Sequence, residues 1–175
     1  MKNIFNTILF FFSLLTVAQD IGFSNVLDAV YPDFNNTKFP KSYTVNTALN
    51  TTADINLIIL SDLNSTVEVD YQSSTINKVH LSEVLAVPVE QNTGLDSRTE
   101  QFKGLINPHV IRRAPFEIFE VIKPLNSKSI ITKTKFSLIN IKIPIEKDLI
   151  AKNHKVNFKV LINGEVSSLK LKINI

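Results

Sequence analysis

The stretch VNFKVLINGEVSSLKLKINI, residues 156–175, decides the fold class. Apolar and polar side chains alternate on both sides of Asn163-Gly164, so each flank presents one apolar face at the period of a β-strand. A type I′ turn needs positive φ at both central residues, and Asn and Gly adopt that conformation at low cost. The segment therefore predicts a β-hairpin, with lysines on an outer face that oppose pairing with the edge of another chain.

The same period of two extends over most of the chain. No segment has a convincing helical periodicity, although residues 26–30 form either one helical turn or a short strand. The pattern predicts an all-β fold, namely an antiparallel β-sandwich of about eight or nine strands, with a barrel as the alternative. Besides the hairpin, strands are predicted at 43–49, 55–60, 67–71, 79–89, 116–122, 130–136 (or as the start of the next strand) and 139–145.

The first eighteen residues have the pattern of an export signal. Lys2 precedes an almost unbroken apolar run over 4–15, and small residues lead up to Ala18. The run is shorter than the ~20 residues needed to span a bilayer, so we expect cleavage and no stable membrane anchor. The predicted organisation is a signal peptide at 1–18 followed by one β-sandwich domain at 19–175, in a secreted or periplasmic protein.

Composition narrows the function classes. The chain has no cysteine, which excludes a disulfide framework, a thiolate nucleophile and the lipid anchor of a bacterial lipoprotein. Residues 1–100 contain 5 Lys and Arg against 11 Asp and Glu, whereas residues 101–175 contain 14 against 5. We expect strands of the two halves to pair and place opposite charges side by side; a basic face for an acidic partner is the alternative. Without Arg-rich or aromatic-interleaved motifs, nucleic acid is not an expected partner.

The sequence shows no catalytic or metal-binding motif. Its three histidines, His80, His109 and His154, match no spacing of metal ligands, and its four glycines form no phosphate-binding loop. We therefore predict no metal, no cofactor and no catalytic residue, and we expect the histidines to be structural.

The long irregular segment 90–115 holds the remaining candidates. Loops of this length in a compact domain are uncommon and are often functional. Its carboxylates, on Glu90, Asp96 and Glu100, would pair with neighbouring arginines, which disfavours the protonated form that a general acid needs. The alternatives are a loop held by its own ion pairs and a binding or docking surface. That predicted surface comprises Glu90, Asn92, Asp96, Arg98, Asn107, His109, Arg112 and Arg113.

A known family of domains resembles two stretches of this chain. The amino-terminal β-sandwich of secreted bacterial glycoside-hydrolase-like proteins, relatives of the β-N-acetylgalactosaminidase family, is similar to VPVEQNTGLDSRTEQFKGLINPHVIRRAPFEIFEVIKPL at 87–125 and to IKIPIEKDLIAKNHKVNFKVLINGEVSSLKLKINI at 141–175. The resemblance covers most of residues 25–175. In that family a catalytic (β/α)-barrel follows the sandwich, so the resemblance carries no catalytic residue onto this chain. It implies a stand-alone sandwich, a truncated product or a gene fragment.

Three functional hypotheses follow. The first is a non-catalytic accessory module of extracytoplasmic carbohydrate metabolism that docks on a catalytic barrel domain or another extracytoplasmic protein. The second is an independent carbohydrate-binding module with a glycan as ligand. The chain has no Trp and 3 Tyr, which argues against the second hypothesis because sugars stack on exposed aromatic faces. The third is a stand-alone hydrolase, which the missing motifs disfavour.

Overall fold

The computed structural model describes residues 19–34, 38–92, 110–150 and 152–175. In these residues no helix is long and apolar enough to cross a membrane. They form ten strands: β1 (Asp20–Ser24), β2 (Ser42–Asn46), β3 (Thr51–Leu60), β4 (Thr66–Gln72), β5 (His80–Val89), β6 (Phe116–Pro124), β7 (Ser129–Ile131), β8 (Phe136–Ile145), β9 (Asn153–Ile162) and β10 (Glu165–Asn174).

The strands form two five-stranded sheets that pack face to face. The first sheet has the order β1-β3-β8-β5-β6, and the second has the order β2-β10-β9-β4-β7. Neighbouring strands are antiparallel, except that β2 runs parallel to β10 with Tyr43 opposite Leu171. The all-β sandwich is confirmed, and the barrel alternative is wrong. Residues 1–18 lie outside the described residues, so the signal peptide and the domain limits stay predictions.

The closing hairpin has the predicted form. β9 and β10 pair with Ile162 opposite Glu165, and the two turn residues have positive φ, 50° at Asn163 and 89° at Gly164. The Asn163 side chain also accepts a hydrogen bond from the Thr66 N–H at 2.9 Å. The turn is thereby tied to β4, the strand on the other side of β9.

The main core lies between the two sheets and uses alternate residues of each strand. β8 contributes four isoleucines and β9 contributes the residues that face them, all at most 2% exposed. Burial of this aliphatic surface stabilises the fold by roughly 25 cal/mol for each Å² removed from water. The members from these two strands are Ile139, Ile141, Ile143, Ile145, Val156, Phe158, Val160 and Ile162.

A second, smaller core covers the outer face of the first sheet. Phe34 and Phe39 each lie with their ring centroids 6.3 Å from that of Phe136, and Ile58 and Leu60 of β3 belong to the same cluster. Because this layer buries Ile58 and Leu60 on the outer face, the last four residues of β3 are apolar on both faces. The unbroken apolar run in β3, unusual for an antiparallel sheet, has its physical cause here.

Two local predictions differ from the structure. Residues 26–30 form neither a helical turn nor a strand but belong to a loop in which the Asp28 N–H donates to the Asn25 carbonyl at 3.1 Å. Residues 130–136 are not one continuous strand, because they contain the end of β7 and only the first residue of β8. The count of ten strands exceeds the prediction chiefly because β1 was not anticipated.

Charge pairing between strands accounts for part of the uneven charge along the sequence. Asp54 of β3 lies opposite Lys142 of β8, with a shortest N–O distance of 3.7 Å. Glu83 and Lys123 are likewise opposite each other on β5 and β6, 3.9 Å apart. Acids of the first half thus meet bases of the second half across strand pairs, as expected.

Candidate docking surface

The long segment 90–115 begins and ends at the tip of a two-stranded ribbon. β8 pairs with β5 only over residues His80–Val84, whereas β6 continues to pair with β5 as far as Val89. A β-bulge at Leu85/Ala86 marks the start of this ribbon, and bulges increase the local twist and redirect side chains. Both ends of the segment are therefore held close together by strand pairing.

Asn92 joins the two ends further. Its Nδ2 donates to the Arg112 carbonyl at 3.1 Å, and its Oδ1 accepts from the Ala114 N–H at 2.8 Å. A side-chain amide supplies here the donor and acceptor that a neighbouring strand would supply. The sequence predicts Asn92 as a docking residue; what the structure shows is a structural role, because these bonds fix the backbone that carries the Arg112 side chain.

The Arg112 side chain connects this segment to residues 30–34. Its Nη2 donates to Asp33 Oδ2 in an ion pair, and its guanidinium carbon lies 4.4 Å from the ring centroid of Tyr31 and 5.3 Å from that of Phe116. The two rings meet edge to face with centroids 5.8 Å apart. We refer to Tyr31, Asp33, Asn92, Arg112 and Phe116 as the loop-base cluster.

The ion pair sets the charge state of the loop-base cluster. The hydrogen bond from Arg112 lowers the pKa of the Asp33 carboxyl below its ordinary value, and the same bond raises the pKa of Arg112. The Asp33 side chain is 63% exposed and that of Arg112 is 30% exposed, so water screens the pair and its contribution to folding is small. The cluster therefore orients a planar cation at the surface more than it stabilises the fold.

Exposed apolar side chains lie on the same segments. Leu27 is 87% exposed, Ile111 is 95% exposed, and Val121 and Ile122 of β6 are 47% and 48% exposed. β6 is also an edge strand of its sheet, and its Phe119 N–H donates a hydrogen bond to the Val30 carbonyl of the neighbouring loop. Of these residues Ile111 adjoins Arg112 in the chain, and an exposed apolar side chain next to an arginine is typical of protein interfaces.

The predicted surface residues are only partly within the described chain. Glu90 and Arg113 are exposed, and Asn92 and Arg112 are half-buried in the loop-base cluster. Asp96, Arg98, Asn107 and His109 lie outside the described residues, as does Glu100. Arg112 does pair with an acid, but that acid is Asp33 of another segment and not one of the loop carboxylates.

The sequence analysis did not identify Tyr31 and Asp33. Their signal is weak: the run Tyr31-Pro32-Asp33-Phe34 combines a turn former with an aromatic residue on each side, a pattern that loops share widely. Only the fold brings this run to the ribbon.

The described histidines and acids form no catalytic arrangement. His154 is 2% exposed, and its two ring nitrogens lie 2.8 Å from Thr75 Oγ1 and 2.9 Å from the Ile150 carbonyl. It is a buried structural histidine, as expected, whereas His80 is exposed at the start of β5. Within the described ranges no group of three or more His, Cys, Asp and Glu residues is placed to hold a metal ion.

The fold of this chain is similar to part of a solved enzyme structure. A family 123 glycoside hydrolase from Clostridium perfringens aligns over 90% of this chain with a TM-score of 0.64 at 9% identity. The two chains share a fold. The chain spans 27% of that enzyme's length, so it corresponds to one part of the hydrolase.

Weaker likenesses extend to other solved structures. A PapD-like domain of human CEP192 aligns with a TM-score of 0.40 at 10% identity, over 99% of this chain and 96% of that one. A DUF4466 family protein from Parabacteroides merdae aligns at 0.38 and 12% identity, over 90% and 45% of the two chains. The sequence matches no protein-family model and no curated protein.

Proposed function

We propose that this chain is a non-catalytic accessory β-sandwich module of extracytoplasmic carbohydrate metabolism, and that the loop-base cluster with its exposed apolar neighbours docks on a partner protein. The partner is a catalytic barrel domain of a glycoside hydrolase or another extracytoplasmic protein. One observation carries the proposal: 90% of the chain aligns on a 27% portion of a family 123 glycoside hydrolase. An accessory module is expected to correspond to one part of a larger enzyme, as this chain does in the alignment.

The composition of the surface supports docking over sugar binding. A sugar-binding platform needs an aromatic face open to solvent, whereas the Arg112 guanidinium lies over the rings of both Tyr31 and Phe116. Tyr43 and Tyr71, the other two tyrosines, pack against the main core. Arginine, whose planar guanidinium donates several hydrogen bonds at once, is instead a frequent anchor of protein interfaces, and here it is held against two aromatic rings.

Exchange of Arg112 tests the proposal. Arg112→Ala removes the anchor but no part of the core, so we expect a nearly unchanged melting temperature and an association with a glycoside hydrolase barrel domain that is at least about tenfold weaker. Arg112→Lys keeps the charge but loses the planar fork, so it should give an intermediate affinity. Association is measured by isothermal titration calorimetry with purified domains.

Lys170→Ala is the control, because Lys170 is an exposed cation of β10 in the other sheet. It should change neither the melt nor the association. If Arg112→Ala lowers the melting temperature strongly, or if both variants bind the barrel as the parent chain does, the loop-base cluster is a structural support and the proposal fails.

A further inference from the structure

Four exposed lysines lie on the outer face of the second sheet, on strands β9 and β10. We refer to them as the lysine face: Lys155, Lys159, Lys170 and Lys172. The residues that alternate with them along both strands belong to the main core. The sequence alone predicts that such lysines protect a sheet edge. That prediction is wrong for these four, because β10 lies between β2 and β9, and β9 lies between β10 and β4.

Three of these lysines stand in an arrangement that is unfavourable for the sheet itself. Lys155 and Lys172 are direct cross-strand partners, which places their Cβ atoms about 5 Å apart. Lys170 is two positions from Lys172 on the same face, about 7 Å away. Like charges directly opposite each other destabilise a sheet. The same arrangement concentrates positive potential where an anionic ligand would gain from it.

No carboxylate compensates these three lysines among the cross-strand partners that the structure describes. Apart from each other, Lys155, Lys170 and Lys172 pair only with neutral residues, namely Ser42, Thr44 and Asn157. Lys159 lies opposite an acid, Asp70 of β4, but the Asp70 carboxylate is already paired with Lys128 at 2.5 Å. The two cross-strand ion pairs of the first sheet are, in contrast, of opposite sign.

The sheet is also concave beside these lysines. A depression of about 470 Å³ lies over β4, β9 and β10, and it is lined by two of the lysines, Lys159 and Lys170, and by the paired Asp70. Neutral polar side chains and one apolar side chain complete its outward lining: Gln72, Asn157, Ser168 and Val166. Amide and hydroxyl groups both donate and accept hydrogen bonds. The shape and the neutral polar groups, which are independent of the charge, suit a hydroxyl-rich ligand.

We propose that the lysine face binds an acidic polysaccharide, a sugar chain that carries carboxylate groups. The ammonium groups pair with the carboxylates, and the amide and hydroxyl groups of the depression bond to sugar hydroxyls. Affinity then comes from charge and hydrogen bonds, so this mode of binding needs no aromatic platform. The loop-base cluster adjoins the first sheet, so the proposal does not depend on the docking function.

Two other anionic partners match the face less well. A membrane surface is bound through apolar side chains beside the cations. In the described strands β9 and β10 the outward residues of that kind are Leu161 and Val166, which lie opposite each other at the hairpin end. An extended acidic peptide would gain affinity from backbone hydrogen bonds at a free sheet edge, and neither β9 nor β10 is an edge strand.

The test is a titration of the purified chain with a tetramer of galacturonic acid, followed by NMR of the Asn157 and Gln72 side-chain amides. We expect saturable shifts with a Kd of about 0.1–1 mM, and weaker binding at higher salt. The fully methyl-esterified tetramer keeps the sugars and loses the charges, so it should bind at least about tenfold more weakly.

The variant Lys155→Gln with Lys172→Gln removes the opposed charges and should weaken binding about tenfold. Its melting temperature should be unchanged or slightly raised, because the like charges no longer face each other. The matched control is Lys133→Gln with Lys135→Gln, two exposed lysines between β7 and β8. This control loses the same net charge and should bind as the parent chain does.

Several outcomes would overturn the inference. Equal weakening in the two double variants would mean that only net charge matters, and unchanged binding by the Lys155/Lys172 variant would place the ligand elsewhere. Binding of the methyl ester, of tetraglutamate or of phosphatidylserine vesicles as tightly as the acidic tetramer would exclude recognition of an acidic sugar. Neither Arg112 nor a barrel domain enters this experiment, so its failure is distinguishable from failure of the docking proposal.

Discussion

Gly22 of β1 gives the sharpest test of how the outer layer sits on the first sheet. A Cβ added at Gly22 would lie 2.5 Å from Phe39 Cβ, 2.6 Å from the Phe39 carbonyl carbon and 2.7 Å from Pro40 O. Carbon atoms prefer about 3.5–4.0 Å, so each contact is too close by about 1 Å. The backbone at residues 39–40 cannot retreat freely, because Pro40 O accepts the Phe23 N–H at 2.9 Å.

Gly22→Ala should therefore destabilise the chain substantially. Overpacking of this kind costs about 1–3 kcal/mol, and loss of the hydrogen bond to Pro40 adds about 1 kcal/mol. At about 2–4 °C for each kcal/mol in a domain of this size, the melting temperature should fall by roughly 5–15 °C. Thermal unfolding followed by circular dichroism measures the change.

Ser24 provides the control on the same strand. Its Oγ is buried without a hydrogen-bond partner among the described residues, so Ser24→Ala removes an unsatisfied hydroxyl group and should leave the melting temperature unchanged or slightly raised. If the Gly22→Ala chain has the same melting temperature as the Ser24→Ala chain, the close approach of residues 39–40 to β1 is refuted, and with it the packing of the outer layer.

Three further predictions concern the turn at Asn163-Gly164, the predicted signal peptide and glycosidase activity. Gly164→Val should cost about 1–3 kcal/mol through the backbone alone, because φ is 89° and no atom lies within 4 Å of the added Cβ; an unchanged melt would argue against the type I′ turn. Mass spectrometry of the exported protein should find Gln19 as the first residue, and an intact Met1 in a membrane fraction would contradict cleavage. The purified chain should hydrolyse no aryl glycoside, and turnover that disappears on exchange of Glu90 or Asp96 would show a hydrolase instead.

Local signals in the sequence predicted the elements that depend on local physics. The hairpin at Asn163-Gly164 was predictable because two adjacent residues determine the turn and the alternation continues on both sides of it. β1 was missed because it directly follows the predicted signal peptide and contains Gly22, which lacks the side chain that strand patterns rely on. The parallel pairing of β2 with β10 has no local signal at all, since it joins residues 42–46 to the far end of the chain.

Of the two segments that form the candidate surface, the sequence predicted segment 90–115 but not the run that contains Asp33. Turn formers and arginines identified the ends of segment 90–115, but Asp33 is 79 positions from Arg112 and only the fold brings them together. The burial of Asn140 was not predictable either: between Ile139 and Ile141 it has the position of a solvent-facing residue, yet it is 3% exposed.

The most direct test of the docking proposal is a photo-cross-link from the surface itself. Ile111, which is 95% exposed beside Arg112, is replaced by p-benzoylphenylalanine, and the exposed Ser168 of β10 in the other sheet is replaced in a second chain as the control. Each chain is irradiated with a glycoside hydrolase barrel domain, and the products are identified by mass spectrometry. The account predicts a covalent adduct from position 111 and none above background from position 168. Equal adducts from both positions, or an adduct from position 168 alone, would contradict it.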